Sequence, residues 1–559
     1  MKKMLIAVLC VIMSAVQLPF VASAANTPLY GDVNQNGSVE ITDATDVQKY
    51  LAKMVDLTEE QLALADVDDD KSITVVDATV IQKYLAKLIE NFPINERIND
   101  TLTIDYSAFE NREHTEEEQL YLELFDPNSV VNVEINISDA ELQKIQDDYV
   151  KYEKMKSKSP IYRKADSVTF TVNGKQYTLE EVGVRMKGNM TRTSFFANNE
   201  MTDLIHFKLD FGETFDDETY YGADAKVWTD KKERKARKNR TFATLEKIDL
   251  KWNATYDSTY MRQAYAYDMF RDYGMLATRS TAAPLTVGKT YCGIYSLNEP
   301  IDSVFLEKYL PAEEQGGDLY KCGWTYNGAT LTSDCSIGIE NEDNCEFYNY
   351  DLKTNKKTSQ HEAMKNLIRV LNSSTLNNET FESAVDKDYF VKFAALSYFS
   401  GNCDDMRNCY NNYYIYFRPN GKAVFIPYDF DRCLGITYGA DPSGNGMTEV
   451  SPFSKSALLQ NQSQRNPLYK YAITSKAAYK TEYTKALDEI SQSKWMKYET
   501  YKPYYQAVVD HYSSVAIPQK SFDNVKSMGS LAVSEKTKNM SVSEFMSRIT
   551  AYYASFSSK

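Results

Sequence analysis

The sequence predicts an α+β protein in which a small all-α, calcium-binding module precedes a larger domain of mixed helices and strands. An acidic pattern of twelve residues occurs twice near the N-terminus, and each copy runs into a helix-like segment. Farther along, alternating apolar segments and Gly-containing turns predict strands and hairpins, and helical segments lie between them and continue to the C-terminus.

Length and composition limit the class of protein. A chain of 559 residues is too long for one ordinary core, so two or more domains are expected. Its content of 43% apolar and 25% charged residues is typical of a folded chain. The formal net charge of −15 argues against binding to nucleic acid through the global field.

Residues 1–25 have the pattern of a secretory signal peptide. Lys2 and Lys3 precede an apolar run from Met4 to Val21, and Ala22-Ser23-Ala24 supplies the small residues of a cleavage site. The alternative is an uncleaved membrane anchor. No later apolar run reaches the roughly eighteen residues that a spanning helix needs. The sequence therefore predicts a secreted protein without a transmembrane segment.

Cysteine and histidine spacing gives no sign of a zinc site. Cys10 lies in the signal peptide, and the other seven cysteines are an odd number, so at least one thiol is expected to be free. The four histidines are scattered without ligand spacing, which disfavours zinc hydrolysis and Ser-His catalysis. The pairing of the cysteines stays open.

A repeat near the N-terminus carries the predicted calcium sites. Residues 32–43, DVNQNGSVEITD, recur at 66–77 as DVDDDKSITVVD, and the segments ATDVQKYLAK and ATVIQKYLAK follow them. Oxygen-bearing side chains at loop positions 1, 3, 5 and 12 are spaced as in a calcium loop that leads into a helix, with a backbone carbonyl at position 7. The predicted ligands are Asp32, Asn34, Asn36, Ser38 and Asp43 in one loop, and Asp66, Asp68, Asp70, Ser72 and Asp77 in the other.

Over residues 30–90 this duplicated pattern resembles a type I dockerin, with Asp instead of the usual Glu at position 12. The resemblance implies two bound calcium ions, binding to a cohesin module of a scaffold protein, and attachment to a cell-surface cellulosome. Lys71 stands where the first copy has Gly37, which favours weaker calcium binding in the second loop. The cohesin-facing positions implied by the resemblance are Ile41, Thr42, Gln48, Lys49, Val75, Val76, Gln82 and Lys83.

Residues 91–118 are polar, acidic and aperiodic, and they predict a linker. The remaining residues, 119–559, are predicted to form one domain with a helical C-terminal region. Within it, Ser138 is expected to cap a helix, Asn173-Gly174 to form a hairpin turn, and Asp257 to cap a helix over 258–273.

Residues 401–435 contain a predicted hairpin flanked by acids. Strands over 413–417 and 423–427 are joined by a Pro-Asn-Gly turn, so the four carboxylates of Asp404, Asp405, Asp429 and Asp431 are expected to meet at one end of a small sheet. Like charges this close need a cation or a shared proton. Oxygen ligands without paired His or Cys favour Mg²⁺, Mn²⁺ or Ca²⁺. The alternative is that these acids only form turns and caps.

The pattern D-(eight)-N-Y-Y-I-Y followed by I-P-Y-D-F-D resembles the spore-coat-H (CotH) family of atypical protein kinases. The resemblance implies a two-lobed, kinase-like domain that transfers the γ-phosphoryl group of ATP, with Mg²⁺ or Mn²⁺, to Ser or Thr of an extracytoplasmic protein. By position, Asp404 is the implied catalytic residue and Asp405 a competitor for that role. Asp429 is the implied metal ligand, with Asp431 and Asn412 as further ligands.

Two other stretches resemble the nucleotide-binding part of the same family. R-M-K-G-N and H-F-K-L-D-F place Arg185, Lys187 and Lys208 in the small lobe, and a strand that ends at Asn298 places Asn298 and Glu299 near the adenine. Basic side chains on strands that face a cleft suit the charge of a triphosphate. Exposed surface lysines and a helix-capping acid are the alternatives.

Two rival functions remain open. Dockerins usually accompany carbohydrate-active enzymes, and Asp404 with Asp429 would supply the two carboxylates that glycoside hydrolysis needs. A catalytically silent structural or binding module of the cellulosome is the other rival. The basic run at 231–240 is either a solvated face or a docking patch for an acidic or phosphorylated polypeptide.

Overall fold

The structure is a computed structural model and describes residues 29–68, 72–89, 91–92, 101–255, 257–437, 445–457, 462–512 and 540–557. The predicted signal peptide, the predicted ligand Asp70, and residues 93–100 of the predicted linker lie outside these ranges. The chain divides into two compact units, Met1–Asp100 and Thr101–Lys559.

The first unit is helical in the part that the structure describes. Its helices are α1 (Ile41–Leu51), α2 (Glu59–Ala65) and α3 (Val75–Leu85). The cores of the two repeats are built from equivalent residues, because Val33 and Val67 and also Ala44 and Ala78 are fully or almost fully buried. The short helix α2 between the repeats begins at the capping residue Thr58, which accepts from the backbone N–H of Gln61.

The second unit is an α+β domain. Its described strands are β1 (Val131–Asn136), β2 (Arg163–Val172), β3 (Lys175–Lys187), β4 (Phe196–Ala197), β5 (Glu200–Met201), β6 (His206–Asp210), β7 (Lys247–Trp252), β8 (Ser280–Val287), β9 (Thr290–Asn298), β10 (Leu319–Cys322), β11 (Ile337–Gly338), β12 (Tyr350–Leu352), β13 (Tyr413–Phe417), β14 (Ala423–Pro427), β15 (Ser456–Ala457) and β16 (Gln462–Ser463). Its described α-helices are α4 (Tyr106–Glu110), α5 (Glu116–Phe125), α6 (Asp139–Lys154), α7 (Glu218–Tyr221), α8 (Lys231–Lys238), α9 (Arg262–Asp272), α10 (Ser303–Tyr309), α11 (Glu362–Leu371), α12 (Asn378–Glu382), α13 (Lys387–Ser400), α14 (Pro467–Tyr469), α15 (Lys480–Gln492), α16 (Tyr498–Tyr512) and α17 (Val542–Ser557).

Seven strands close into a barrel in the order β1-β2-β3-β6-β7-β9-β8. Neighbouring strands are antiparallel except β1 and β8, whose parallel pairing closes the barrel. Along β3, β6 and β7, buried apolar residues such as Val184, Phe207 and Leu250 alternate with polar ones. One face of these strands therefore belongs to the core, and the other carries the charged side chains described below.

A second sheet has five strands in the order β11-β12-β10-β13-β14. The predicted hairpin is confirmed, with Tyr413 opposite Pro427 and Phe417 opposite Ala423. Gly421 has a φ of +85° in the turn, a conformation that glycine adopts without strain. The helix α13 precedes this hairpin and packs on β14, where the rings of Phe390 and Phe425 lie 5.4 Å apart.

Residues 101–118, for which the sequence predicts a linker, instead fold into the second unit. The backbone N–H of Leu102 donates to Asp386 (2.8 Å), and the hydroxyl of Tyr106 donates to the carbonyl of Met275 (2.9 Å). Leu102, Ile104, Tyr106 and Phe109 are buried. The polar composition of the stretch concealed these few apolar residues, so the linker prediction is wrong for this part and the larger unit begins before residue 119.

The helix predicted over 258–273 is shorter than expected, because α9 begins at Arg262. The carboxylate of Asp257 accepts from the backbone N–H of Thr259 (3.0 Å) and of Arg262 (3.2 Å) and also binds the Arg262 guanidinium (3.0 Å). These bonds hold residues 257–261 as a turn ahead of the helix.

In the described part of the chain, every helix is too short or too polar to cross a membrane.

Candidate functional site

A row of polar residues crosses the barrel sheet on the face opposite its core. Arg185 lies opposite Lys208, Lys208 opposite Asp249, and Asp249 opposite Asn298. Residues directly opposite in antiparallel strands place their side chains on the same face. Lys187 joins this face because it lies two residues beyond Arg185. The structure thus brings together four of the five residues predicted to bind nucleotide.

Asp249 holds two of these basic residues in place. Its Oδ2 accepts from the Lys187 ammonium, and its Oδ1 lies 3.3 Å from Lys208 Nζ. Burial disfavours charge on Asp249, but the two ammonium groups outweigh it and hold the pKa of the carboxyl well below its usual range. The cluster keeps one net positive charge. Sequence analysis missed Asp249, although the alternation of polar and apolar residues in KIDLKW places it on this face.

Lys251 connects the barrel to the loop after β14. It lies two residues beyond Asp249, and its Nζ contacts Asp429 Oδ1 and lies 3.1 Å from Asp431 Oδ2. Burial opposes the charge of Lys251, but attraction to the two carboxylates prevails and raises the pKa of the ammonium. Lys251 was also missed, because nothing in the sequence shows that β7 lies beside this loop.

The backbone of Asp429 has an unusual conformation in the loop that reaches Lys251. Asp429 has a φ of +56°, in the left-handed region that non-glycine residues seldom adopt, and it directly precedes a 3-10 turn over Phe430–Arg432. Such strained residues cluster at functional sites. Burial favours a neutral Asp429, but Lys251 and Lys187 outweigh it and lower the pKa of the carboxyl. Burial prevails at Asp431, and its pKa is raised.

The predicted catalytic acids have different surroundings. Asp404 is partly exposed, with its Oδ2 3.7 Å from Arg432 Nη1, and burial raises the pKa of its carboxyl despite that neighbour. Asp405 is buried, and its Oδ1 accepts from the backbone N–H of Arg407 (3.0 Å) and Asn408 (2.7 Å). Burial raises the pKa of Asp405 to about 7. Asn412 donates from Nδ2 to the backbone carbonyl of Asp404 (2.8 Å).

The four carboxylates have different nearest partners, while the negative charges of Asp404 and Asp429 still act on each other. That all four meet at one end of the hairpin stays a prediction. Asp429 and Asp431 bind Lys251, Asp404 lies near Arg432, and Asp405 bonds to its own loop. Lys251 from the barrel, Arg432 from the same loop and backbone N–H groups reduce the repulsion between these acids. Among the described residues, the group of three acids close enough to share one ion lies in the first unit.

Glu299 is buried, and several neighbours engage its side chain and backbone. Its Oε1 lies 2.8 Å from Lys308 Nζ, and its Oε2 accepts from the backbone N–H of Arg279 (3.2 Å). Its own backbone N–H donates to the Arg279 carbonyl (3.0 Å), and its carbonyl accepts from Thr278 (2.6 Å). These contacts fix Glu299 in the packed interior. Its placement near an adenine stays a prediction.

Arg185 and Asn298 are also held by neighbours. Arg185 donates from Nη1 to the carbonyl of Ser159 (3.0 Å) and lies over the ring of Tyr162 at 5.1 Å. The side-chain amide of Asn298 accepts from Gln263 and donates to the carbonyl of Ser296 (3.2 Å). Lys187 and Lys208 are therefore the better candidates for direct contact with an anion.

Tyr428, next to Asp429, lies near the ammonium groups of Lys187 and Lys321. Lys187 Nζ is 5.7 Å and Lys321 Nζ is 5.0 Å from the centre of its ring. Burial would raise the pKa of the phenol, but the two ammonium groups outweigh it and lower that pKa. Lys321, on β10, was not predicted either. This face of the second unit thus combines several ammonium groups with the carboxylates of Asp429 and Asp431, an arrangement that suits a phosphate-bearing ligand with a divalent cation.

In the first calcium loop, side-chain oxygens accept from the backbone of the same loop. Asp32 accepts from Asn36 N (3.0 Å) and Gly37 N (2.8 Å), Asn36 accepts from Ser38 N (2.9 Å), and Asp43 accepts from Asn34 N (3.0 Å). These bonds turn the oxygens of positions 1, 5 and 12 towards the inside of the loop.

The second loop groups three carboxylates. One oxygen from each of Asp66, Asp68 and Asp77 lies within 4.8 Å of the others. Burial, followed by the charges of Asp68 and Asp66, raises the pKa of Asp77. Three hard oxygen donors at this separation fit Ca²⁺. Asp70 lies outside the described residues, and Ser72, at position 7 of the loop, is exposed.

The predicted cohesin-facing residues lie on the surface of the first unit. Ile41 is 58% exposed, Val75 67% and Val76 49%, which is unusual for β-branched aliphatic residues at the start of a helix. Thr42, Gln48, Gln82 and Lys83 are exposed, and Lys49 is half-buried beside Asp46 at 3.1 Å. The two repeats therefore present equivalent surfaces.

A calcium-loop module and an α+β domain with a mixed basic and acidic site together define a modular protein of the dockerin-bearing class. The chain belongs to the CotH kinase protein family, whose match covers residues 224–515, and residues 30–86 match the type I dockerin domain. The family match includes Asp249, Lys251 and the acids of the hairpin, and it begins after β6, so Lys187 and Lys208 lie outside it.

A solved structure also matches: the third cohesin ScaC in complex with the ScaB dockerin from Acetivibrio cellulolyticus. The identity is 35%, the alignment covers 12% of this chain and 99% of that chain, and the TM-score is 0.12. Comparison with curated proteins gives no match.

Proposed function

We propose that this protein is a secreted phosphotransferase that moves the γ-phosphoryl group of ATP to a Ser or Thr hydroxyl of an extracytoplasmic protein. The observation that carries the proposal is the contact of Lys251 with Asp429 and Asp431, which joins the basic face of the barrel to the acids after the hairpin. We infer that the barrel and the five-stranded sheet correspond to the two lobes of a kinase-like domain.

The basic side chains would bind the triphosphate. Lys187 and Lys208 are held by one shared carboxylate, so they keep net positive charge and a fixed position before the ligand arrives. Asp429 and Asp431, with Asn412 nearby, would hold Mg²⁺ or Mn²⁺. The bound metal would neutralise the charge on the phosphate oxygens.

Asp404 would act on the acceptor. The hydroxyl oxygen forms the new bond to the γ-phosphorus as the bond to the β,γ-bridging oxygen breaks, ADP leaves, and the hydroxyl proton passes to the Asp404 carboxylate. Arg432, 3.7 Å away, favours the ionised form that can accept this proton. Asp405, which is buried and bonded to backbone N–H groups, would position the loop that carries Asp404.

The first unit would attach the enzyme to a scaffold. Calcium bound by the ligands of the two loops would fix the starts of α1 and α3, where the exposed residues Ile41, Val75 and Val76 would face a cohesin. Binding to a cohesin would hold the protein on a cellulosome outside the cell.

A silent binding module is the second candidate, and one observation favours it. Lys251 already neutralises part of the charge of Asp429 and Asp431, so the acids do not depend on a metal for their stability. In this alternative the same surface would bind a polypeptide or a glycan without catalysing a reaction.

Thermal unfolding with ATP and Mg²⁺, compared with oligosaccharides, distinguishes these functions, because a ligand that binds only the native state raises its melting temperature. Transfer of radiolabelled phosphate from ATP to a Ser-rich protein then tests the chemistry. A protein that neither binds nucleotide nor transfers phosphate would contradict the proposed activity and favour the binding module.

A further inference from the structure

The ammonium of Lys251 lies against two carboxylates at the point where the proposed function requires a metal. Its side chain is 12% exposed, and those of Asp429 and Asp431 are each 31% exposed. The strand β7 fixes the Lys251 backbone, and the adjoining Trp252 N–H donates to His206 Nδ1 at 3.1 Å. Lys251 is therefore built into the barrel and does not reach the acids from a surface loop.

The charges around this pair show what Lys251 does there. The two carboxylates alone carry a charge of −2, and direct contact with Lys251 offsets one of these charges. Arg432 follows Asp431 directly in the sequence. It lies 3.7 Å from Asp404, and its charge also acts on Asp429 and Asp431. Lys187 and Lys208 share Asp249. Lys251 is thus a cation that directly contacts both acids.

A free divalent ion would have to bind next to this ammonium or displace it into a partly buried region without a new partner. Both events disfavour metal binding. A metal bound to a triphosphate brings its own negative oxygens to the same face, where Lys251 could exchange a carboxylate for a phosphate. The exchange requires only a side-chain movement, because Lys251 lies on the same face as Lys208 and Asp249.

We propose that Lys251 is a built-in counter-cation that excludes free Mg²⁺ from Asp429 and Asp431 and admits the metal only together with a polyphosphate. Lys251 is a positioning residue in this role. The second half of the proposal rests on the proposed function. The first half concerns metal binding alone and is tested without nucleotide.

The test is calorimetric titration of Mg²⁺ into the full chain without nucleotide, together with thermal unfolding of the same samples. Lys251→Gln should gain a Mg²⁺ site at least tenfold tighter than any that wild type shows in the second unit, and its melting temperature should rise with Mg²⁺. Lys247→Gln is the matched control, since Lys247 lies on the same strand and pairs with one carboxylate, Asp210, at 3.1 Å. It should behave like wild type. Any Mg²⁺ that binds to the calcium loops contributes equally to the titrations of wild type, Lys251→Gln and Lys247→Gln.

Lys251→Arg keeps a cation and should also behave like wild type. Equal Mg²⁺ binding by wild type and Lys251→Gln would overturn the proposal. If Lys251→Gln is unfolded without metal, recovery of the fold on adding Mg²⁺ supports the proposal, and failure to recover overturns it.

A second titration uses wild type with a non-hydrolysable ATP analogue, where Mg²⁺ should bind at least tenfold more tightly than without it. If the analogue does not bind at all, the proposed kinase activity fails, while the counter-cation role is still decided by Lys251→Gln.

Discussion

Lys208 Nζ lies 3.3 Å from Asp249 Oδ1, and the other oxygen of the same carboxylate binds Lys187. Asp249 is 4% exposed, so the three charges form one compact unit on neighbouring strands. The carboxylate of Asp249 thus holds two ammonium groups side by side. Without it, the like charges of the two lysines would repel each other.

Asp249→Asn should destabilise the protein by about 3–5 kcal/mol, the usual cost of leaving a buried charge without its partner. The pKa of Asp249 is lowered in the fold, so its contribution is present above the unfolded-state pKa and is lost only as the pH falls through the folded-state pKa. The deficit of the variant in urea unfolding should therefore be the same at pH 6 and pH 8. Asp210→Asn, which removes the carboxylate that pairs with Lys247 at 3.1 Å, is the control and should cost less. A loss below about 1 kcal/mol in Asp249→Asn would contradict this account.

Asp404→Asn and Asp429→Asn should fail at different steps. Asp404→Asn should reduce phosphate transfer by at least a hundredfold and leave nucleotide binding nearly unchanged, because Asp404 would act on the acceptor in the transition state. Asp429→Asn should weaken binding of ATP with Mg²⁺, since it would remove one of the proposed metal ligands. Radiolabel transfer and calorimetric titration of ATP with and without Mg²⁺ measure the two effects. If both variants retain phosphate transfer, the assignment of these residues to the active site is wrong, although the described fold is unaffected.

The local features of this chain were predictable, and the long-range ones were not. The hairpin over 413–427 and the Asn173-Gly174 turn follow from apolar alternation and turn residues, which act over a few positions. The closed barrel depends on the parallel pairing of β1 with β8, about 150 residues apart, and no local pattern encodes that pairing. The charged partners Asp249 and Lys251 were missed for the same reason.

The roles of individual acids also depend on tertiary contacts. Asp404 and Asp405 are adjacent residues of the same type. Asp404 is nevertheless partly exposed beside Arg432, whereas Asp405 is buried and accepts from backbone N–H groups of its own loop. Glu299 follows a strand as predicted, but Lys308 from the next helix occupies its carboxylate. Such assignments require the packing of the neighbouring elements and cannot be made from spacing.

Asp405 should make stability depend on pH. Its pKa is raised from 3.8 to about 7 because burial disfavours the ionised form, so the folded state binds a proton that the unfolded state has already released. Stability should therefore fall as the pH rises from about 4 to 7, by up to about 4 kcal/mol for this group, and remain low above that range. Asp405→Asn keeps an oxygen that accepts from Arg407 and Asn408 and should be more stable than wild type at pH 8.

Urea unfolding of wild type and Asp405→Asn at several pH values from 5 to 8 measures this difference. The gap between the two proteins should widen as the pH rises and level off above about pH 7. Asp388→Asn, at an acid with a 47% exposed side chain, is the control and should follow the wild-type pH dependence. A gap that stays constant over this range would show that Asp405 does not titrate there.

Calcium binding should separate into two sites that can be removed one at a time. Asp43→Asn should abolish the site of the first loop and Asp77→Asn the site of the second, since each removes the acid at position 12, whose oxygens accept from the backbone of its own loop. Calorimetric titration of Ca²⁺ into the full chain should show two ions bound in wild type and one in each variant. Asp46→Asn, at an acid on α1 that pairs with Lys49, is the matched control and should keep both.

The two sites should also differ in strength. Gly37 has a φ of +90°, which the first loop needs for its turn, whereas Lys71 stands at the equivalent position of the second loop. The site that remains in Asp43→Asn should therefore be the weaker of the two, and Lys71→Gly should strengthen it. Cohesin binding, measured on the same samples by surface plasmon resonance, should be lost when a chelator removes calcium. Unchanged cohesin binding after chelation would show that the loops hold their shape without metal, and the calcium assignment would then fail.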